Sequence, residues 1–306
     1  MNMEDRDGFI WVDGDLVPWR DAKFHVLTHT LHHGLGVFEG LRAYAGPRGS
    51  AVFRLQDHTN RLFNSAHILG MTLPYDRGTI NEAHLSVMRA NGFKECYFRP
   101  IAFYGGENVG VSASGNSVHV AVIAWPWADY HGKSASGAGI RLKTSSFCRL
   151  HHNSVFIKAK ACGHYINSMM ANMEAKASGH DDALLLDAYG YVAEASTSTI
   201  FVIRDGAIST PQKTSVLEGI TRDTILVLAG ERDLRVSERN ITRDEIYCAD
   251  EVFVTGTAAE VVPVAGLDGR RIGDGTPGPL TRDLQGAYRK LVQGQSGNHE
   301  SWLTFL

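Results

Sequence analysis

The stretch that most constrains this chain lies near its middle, at residues 157–168, where two lysines alternate with small residues. The apolar residues that follow have helical spacing, which predicts a helix from Tyr165 to about Gly179. Lys160 lies between two alanines on the short approach to this helix. Because burial disfavours the ammonium, a lysine in such a place can lose its proton and form a Schiff base. Most lysines are solvated surface charges, so the prediction of a reactive Lys160 depends on the rest of the chain.

The size and charge of the chain narrow the class of protein. A length of 306 residues suggests about two domains. The net charge of −3 gives no basic surface for nucleic acid, which argues against that class of partner. The polar first residues predict no signal peptide, and we find no apolar span long enough to cross a bilayer. The four cysteines form no C-x-x-C pair, so we expect reduced thiols and a cytoplasmic protein.

The first half of the chain is predicted to be an α+β domain, in which strands alternate with two helices. Asp57 is expected to cap the first helix, which carries Leu62 inward and Arg61 on an adjoining face. Thr79 and Glu82 form a predicted capping box for the second helix. The predicted strands or strand-like segments are residues 9–12, 16–19, 27–44, 51–54, 96–103 and 118–125.

A boundary is predicted where small and polar residues replace this pattern. Residues 1–125 are expected to form the small N-terminal domain, 126–139 an interdomain linker rich in glycine, serine and alanine, and 140–306 the larger domain. In the larger domain, Thr242 and Glu245 form another predicted capping box. The predicted strands there are residues 140–144, 183–186, 191–194, 199–203 and 251–255, and predicted helices begin at Tyr165, Gly219 and Leu280.

Several residues of the second half can bind a charged ligand. Glu194 ends a predicted strand beside small hydroxyl-bearing residues and can face a cofactor, although alone it is more simply a surface carboxylate. Gly219, Ile220 and Thr221 open a helix, where unsatisfied N–H groups attract an anion, although a plain helix start would look the same. The turn at residues 256–258 adds a hydroxyl. Two such turns with one arginine can hold a phosphate, although the chain has no Walker pattern.

Other motifs point away from metal and serine-hydrolase chemistry. His29, His32 and His33 lie in strand-like sequence without metal-ligand spacing, so we expect no metal. We find no G-x-S-x-G nucleophile motif.

Six motifs in order extend over nearly the whole chain. Residues 32–40 are similar to H-Y-G-x-x-V-F-E-G, residues 97–100 to Y-x-R-P, and residues 217–222 to L-x-G-I-T-R. The other three are residues 125–130, 159–165 and 255–260, and residues 301–304 fit the usual ending. Together they resemble the fold-type IV pyridoxal-phosphate enzymes, and most closely the bacterial branched-chain amino-acid aminotransferases.

The resemblance implies an α+β fold of two α/β domains with pyridoxal 5'-phosphate in the interdomain cleft. It implies ping-pong transamination between leucine, isoleucine or valine and 2-oxoglutarate, in a homodimer or higher homo-oligomer that completes its sites across subunits. Lys160 would form the Schiff base and move the proton. Glu194 would face the pyridine nitrogen, and Tyr165 would bind the phenolic oxygen.

The resemblance also assigns the remaining binding residues. The cofactor would be held by Arg61, Lys160, Tyr165, Glu194, Leu217, Gly219, Ile220, Thr221 and Thr257. The substrates would be bound by His33, Phe38, Tyr97, Arg99, Trp127, Tyr130, Thr257 and Ala258.

Four positions depart from the family pattern and leave the substrate open. His33 stands where tyrosine is usual, Ala195 replaces a glycine, and His164 and Thr199 replace asparagines. The alternatives are a fold-type IV transaminase for a D-amino acid, an (R)-amine or a specialised-pathway substrate, an aminodeoxychorismate lyase, or a protein that only binds the cofactor. The Y-x-R-P match argues against the first, and the retained Lys160 argues against the last.

Overall fold

The computed structural model describes residues 3–127 and 138–306, which fall into two compact units. The first unit comprises Met1–Trp127, Ala159–Gly163 and Val292–Leu306, and the second comprises Ala128–Lys158 and His164–Leu291. The predicted domain boundaries separate parts of the chain that fold independently. A division by residue contacts does not test independent folding, so these boundaries stay a prediction. Most of the predicted linker lies outside the described residues.

An eight-stranded sheet forms the centre of the first unit, and its described strand pairs are all antiparallel. Its order is β17-β5-β4-β6-β7-β1-β2, with β3 paired to β6. The strands are β1 (Phe9–Val12), β2 (Asp15–Pro18), β3 (Gly36–Phe38), β4 (Leu41–Gly46), β5 (Gly49–Phe53), β6 (Cys96–Tyr104), β7 (Val118–Trp125) and β17 (Leu303–Phe305). The strands predicted at residues 9–12 and 118–125 are confirmed, and β6 extends the strand predicted at 96–103 by one residue.

The described part of the first unit contains three α-helices: α1 (His29–His33), α2 (Leu55–Ile68) and α3 (Arg77–Ala90). Short 3-10 helices lie at Trp19–Asp21 and Glu300–Trp302. Buried apolar residues of α2 and α3, among them Leu62, Ile80 and Val87, form one core with β6 and its neighbours. The core therefore holds α2 and the sheet in a fixed relation.

Three local predictions in this unit are wrong. The segment around His29 is helical instead of strand-like, because Gly34 adopts a left-handed conformation and its N–H closes the turn onto Thr30 O at 2.8 Å. Helix α2 begins before Asp57, whose carboxylate instead binds Arg54 Nε at 2.5 Å. Helix α3 begins before Thr79, and its cap is a different residue, Asp76.

The second unit is built on a nine-stranded mixed sheet with the order β10-β9-β8-β15-β14-β11-β12-β13, and β16 pairs with β15. The pairs β8–β9, β8–β15 and β12–β13 are parallel. The strands are β8 (Ile140–Thr144), β9 (Asp182–Leu186), β10 (Val192–Ala195), β11 (Thr199–Arg204), β12 (Ala207–Thr210), β13 (Val236–Glu238), β14 (Glu251–Gly256), β15 (Glu260–Leu267) and β16 (Arg270–Arg271).

The other helices follow the predicted order. They are α4 (Tyr165–Ala177), α5 (Ile220–Gly230), α6 (Arg243–Tyr247) and α7 (Pro279–Val292), with 3-10 helices at Cys162–His164 and Lys213–Ser215. The capping box of Thr242 and Glu245 is confirmed at α6. Within the described ranges, every helix is too short or too polar to span a membrane.

Helix α4 has the predicted position and buries a face of small residues. Its buried residues are Ser168, Ala171 and Ala175, and the two alanines pack with Ala183 and Leu185 of β9. Small side chains let this helix approach the sheet closely. The longer apolar residues stay exposed instead; they are Ile166, Met169, Met170 and Met173.

Candidate active site

Lys160 lies on a short segment, Ala159–Gly163, that the first unit holds mainly through its backbone. Phe38 N–H donates to Lys160 O at 3.0 Å, and Lys160 N–H donates to the Ser65 hydroxyl at 3.0 Å. An isolated β-bridge joins the same segment to the residue before Phe38. These bonds fix the main chain of Lys160, whereas its half-buried side chain keeps four rotatable methylenes.

Two glycines allow this attachment. Gly163 N–H donates to Gly34 O at 3.1 Å. A Cβ on Gly34 would lie 3.1 Å from Gly163 Cα, and the φ of Gly34 is +73°. The close approach and the left-handed backbone both require glycine at residue 34.

Phe38 lies beside the Lys160 side chain, and three further predicted substrate residues follow it in a row of contacts. Lys160 Nζ lies 5.1 Å from the centroid of the Phe38 ring, and Arg99 Cζ lies 4.7 Å from the same centroid. Arg99 also approaches the Tyr97 ring, at 5.6 Å, and Tyr97 stacks on Trp127 with centroids 4.5 Å apart. We call Lys160, Phe38, Tyr97, Arg99 and Trp127 the lysine cluster. The Phe38 and Tyr97 rings stabilise the Arg99 guanidinium.

Arg61 is held by a buried carboxylate. Arg61 Nε and Nη2 donate to Glu39 Oε1 and Oε2 at 2.5 and 2.9 Å, and His58 Nδ1 lies 2.8 Å from Glu39 Oε2. Burial opposes ionisation of Glu39, but the Arg61 charge and the hydrogen bonds from Arg61 and His58 hold the Glu39 pKa well below its usual range. Burial lowers the pKa of His58, so this ring is neutral at pH 7 and donates its Nδ1–H to the carboxylate.

The partners of Arg61 were missed by sequence reasoning. Glu39 is a charge in an otherwise apolar run, and it is completely buried. His58, Arg61 and Ser65 lie at positions i, i+3 and i+7 of α2, which places them on one helix face. The signal available in the sequence was a carboxylate within an apolar run, together with a helix that carries basic residues on one face.

In the second unit, the start of α5 lies against the start of β11. Gly219 is the N-cap of α5 and has no side chain to cap the first N–H groups. A Cβ on Gly219 would lie 3.1 Å from Thr199 Oγ1, and Thr199 faces Thr255 in the register of β11 and β14. Thr221, in the first turn of α5, is buried.

The second predicted anion turn follows β14. A Cβ on Gly256 would lie 3.3 Å from Ser198 Oγ, so this turn also approaches the start of β11. Thr257 and Ala258 follow Gly256 and are half-buried, as is Leu217 before the helix. The second unit thus places the following predicted residues near one end of β11: Gly219, Ile220, Thr221, Thr257 and Ala258. A helix N-terminus with hydroxyl groups nearby is suited to a phosphate.

Glu194 has a cationic partner that the sequence did not indicate. Arg149 Nε lies 2.5 Å from Glu194 Oε1, and both side chains are less than one-tenth exposed. Arg149 Nη1 also donates to Asn167 Oδ1 on α4 at 3.2 Å, two residues after Tyr165. The ion pair places a buried cation beside the Glu194 carboxylate. Arg149 lies in a loop without any motif, so no pattern could have identified it.

The other predicted residues fall outside these groups. His33 is exposed at the end of α1, 4.4 Å from the His29 ring and 3.3 Å from Val109 O, and it is not part of the lysine cluster. Tyr130 lies outside the described residues. In residues 3–127 and 138–306 we find no group of histidine, cysteine or carboxylate side chains suited to a metal ion.

Comparison with known sequences shows the family. The profile described as amino-transferase class IV matches residues 36–267. The chain is 55% identical to the branched-chain-amino-acid aminotransferase of Pseudomonas aeruginosa over 306 residues, all of both chains. It is 39% identical over 297 residues to the protein of that name from Escherichia coli K12, with 96% of each chain covered.

Solved structures give the same result. The chain matches the T.th. branched-chain amino acid aminotransferase with pyridoxamine 5'-phosphate at a TM-score of 0.95 and 46% identity. It matches the complexes of that protein with N-(5'-phosphopyridoxyl)-L-glutamate and with 4-methylvaleric acid at 0.94 and 45%. Each match covers 98% of this chain and 99% of the other. The predicted fold-type IV architecture is confirmed, and the chain belongs to the class IV aminotransferase family.

Proposed function

We propose that this protein is a pyridoxal 5'-phosphate-dependent aminotransferase, which moves an amino group between a branched-chain L-amino acid and 2-oxoglutarate in a ping-pong reaction. The observation that carries the proposal is the lysine cluster, in a chain 55% identical to a branched-chain-amino-acid aminotransferase. The T.th. relative has been crystallised with a phosphopyridoxyl-glutamate and with 4-methylvaleric acid, a branched acid, which supports both substrate classes.

The donors and acceptors of the chain fit this cofactor. Lys160 offers an amine to the aldehyde, and the Glu194 carboxylate, held by Arg149, suits a protonated pyridine nitrogen. The start of α5 offers N–H groups without a side-chain cap. When bound, the cofactor supplies an electron-accepting ring that stabilises negative charge on the substrate Cα. We propose that its phosphate and ring are held by Arg61, Tyr165, Leu217, Gly219, Ile220, Thr221 and Thr257.

In this proposal, Lys160 carries out the proton transfer. Its main chain is fixed by Phe38 and Ser65, so Nζ can move on its methylenes without displacing the loop. With the cofactor bound, Nζ would supply the amine that condenses with the aldehyde and releases water. The same amine, once freed, would serve as the base that accepts the proton of the substrate Cα and gives it back.

The lysine cluster suits two kinds of substrate. Phe38, Tyr97 and Trp127 offer aromatic surface to an apolar side chain. Arg99 lies over the Phe38 and Tyr97 rings, where its guanidinium can receive a carboxylate. We propose that His33, Tyr130, Thr257 and Ala258 complete the substrate side.

The test follows cofactor absorbance in half-reactions with single amino acids. Wild-type protein is expected to lose the absorbance of the lysine-bound cofactor on adding L-leucine, L-isoleucine, L-valine or L-glutamate, but not with their D-enantiomers. Lys160→Ala should reduce turnover at least about 10⁴-fold, because it removes both nucleophile and base.

Lys176→Ala is the matched control, because Lys176 is an exposed lysine in the last turn of α4. This variant should retain turnover. Full turnover by Lys160→Ala, or pyruvate release without a keto-acid acceptor, would refute the proposal.

We further propose that the protein works as a homodimer or higher homo-oligomer. Residues 26–31, which include the start of α1, lie beside loop residues 109–111 in the first unit, since His29 Nε2 is 2.8 Å from Gly110 O. They expose an apolar patch, and large exposed patches of this kind mark protein interfaces. The patch comprises Val26, Leu31, Val109 and Val111, each more than half exposed.

A cytoplasmic location is also proposed. All four cysteines are free thiols in the structure: Cys96, Cys148, Cys162 and Cys248. Free thiols suit a reducing compartment.

A further inference from the structure

The most unusual polar group outside the lysine cluster is the carboxylate of Glu39. It is 0% exposed, lies directly after strand β3, and accepts hydrogen bonds from both Arg61 and His58. Its own neighbour Gly40 adds a backbone N–H at 3.2 Å from Oε2. Burying a carboxylate costs several kcal/mol before pairing, and an apolar replacement of such a pair is often as stable. Stability alone therefore gives a weak reason for this arrangement.

The hydrogen bonds fix the direction of the Arg61 guanidinium. Two N–H groups, one on Nε and one on Nη2, bind the two oxygens of Glu39, which sets the plane of the guanidinium. His58 in turn holds Oε2, so the carboxylate cannot rotate without losing a bond from each neighbour. Arg61 itself is 14% exposed and is the member of the three that reaches solvent.

Helix α2 connects this arrangement to Lys160. His58 and Arg61 meet Glu39, and Ser65, one turn further along the same face, accepts from the Lys160 N–H. One rigid helix thus carries Arg61 and also a contact to the Lys160 main chain. This helix face therefore sets the position of the Arg61 guanidinium relative to the Lys160 amine.

We propose that Glu39 is a positioning residue, which aims the Arg61 guanidinium at the cofactor phosphate and leaves the chemistry of Lys160 to other groups. The inference rests on the proposed function, in which Arg61 binds that phosphate. Because Glu39 acts through Arg61, removal of the Glu39 carboxylate should weaken binding of the cofactor phosphate. It should not weaken the reaction of the Lys160 amine with an aldehyde.

The test compares pyridoxal 5'-phosphate with pyridoxal, which has the aldehyde but not the phosphate. Apo wild-type, Glu39→Gln and a control variant are titrated with each compound, and the absorbance of the lysine-bound form gives the Kd. The glutamine amide cannot accept from Arg61 and His58 at both of its ends. We expect about 10- to 100-fold weaker binding of pyridoxal 5'-phosphate, the range found when a residue that orients a metal ligand is removed. The Kd for pyridoxal should change less than about twofold.

Glu82→Gln is the matched control, because Glu82 is an exposed carboxylate paired with Arg89 in the same unit. It should leave both Kd values unchanged. Glu39→Asp serves as a second variant, since it keeps the charge but shortens the side chain by one methylene. It should also weaken the binding of pyridoxal 5'-phosphate and not that of pyridoxal.

A double-variant cycle checks the route of the effect. In an Arg61→Gln background, Glu39→Gln should produce no further loss of pyridoxal 5'-phosphate binding, because the coupling runs through the guanidinium. Equal weakening of both compounds, or an undiminished effect in the Arg61→Gln background, would overturn the positioning role. Unchanged binding in both Glu39 variants would overturn it as well. If wild-type protein binds neither compound covalently, the proposed function itself fails.

Discussion

Arg61 and Glu194, the charged residues proposed to hold the cofactor without a covalent bond, each have a buried partner of opposite charge. Arg61 is paired with Glu39, and Glu194 is paired with Arg149. A charge held in this way needs little reorganisation when a ligand arrives, which is how preorganised sites gain their strength. The partner residues therefore belong to the candidate site as much as the ligand-binding residues do.

Removing Arg149 should destabilise the second unit and impair the site. Arg149→Gln leaves Glu194 buried without its cation, and breaking such a pair costs about 3 kcal/mol or more. We expect a loss of that size in the free energy of unfolding, measured by urea denaturation of the apo protein. Arg141→Gln, at an exposed arginine of the same unit, should change it by less than about 0.5 kcal/mol. A stable Arg149→Gln protein with unaltered kcat would contradict this.

At the scale of single residues, the sequence identified the groups that carry chemistry but not those that hold them. Lys160, Arg61 and Glu194 came from motifs. Glu39 and Arg149 became visible only through contacts that join residues more than 20 positions apart. Local patterns do not specify such pairings, because the sheet registers that create them are set by the whole fold.

At the scale of elements, α3 packs a histidine against the sheet. His84 is 1% exposed, its Nδ1 lies 2.7 Å from Ile80 O, and its ring meets the Phe98 ring of β6 edge-on. Burial lowers the pKa of His84 to about 4. The packing of α3 on the sheet therefore depends on a neutral imidazole.

Acid should weaken the fold through this helix. The unfolded chain protonates His84 near its ordinary pKa of 6.5, whereas the folded chain does so only near 4. Between these values the unfolded state binds more protons, so stability falls as the pH falls below 6.5 and the loss is complete near pH 4. At 1.4 kcal/mol per pKa unit, the loss is about 3 kcal/mol.

Urea denaturation across this pH range provides the measurement. His84→Leu should reduce the slope of stability against pH, because the titrating ring is gone. The exposed His67→Gln, on α2, should leave the slope as in wild type. An unchanged slope in His84→Leu would show that other groups cause the acid sensitivity.

Elements with a strong pattern were predicted within a few residues, and short or close-packed ones were not. The strands β7 and β8 and the start of α5 lie where alternation and glycine placed them. Helix α1 has five residues, too few to show helical periodicity. In α4 the apolar spacing gave the helix but not its buried face, because alanines next to β9 pack more closely than methionines can.

At the scale of the whole molecule, the exposed apolar patch of the first unit has a consequence for assembly. Light scattering of wild-type protein should give a dimer or a larger symmetric oligomer. Leu31→Asp places a charge in the patch, where Leu31 is 70% exposed, and should shift the protein toward the monomer. Leu16→Asp, at an exposed leucine of β2 outside the patch, should not. An active wild-type monomer would refute the proposed assembly.

The attachment of the lysine segment also limits how this catalyst can be re-engineered. Its anchors are main-chain atoms and one serine hydroxyl, none of which depends on the side chains that the loop carries. Cys162 can therefore be exchanged for a residue of similar size, with the Lys160 amine remaining in place. Inserting a single residue between positions 160 and 163 would break the alignment of Gly163 with Gly34. The Lys160 amine would then move away from the residues that it contacts.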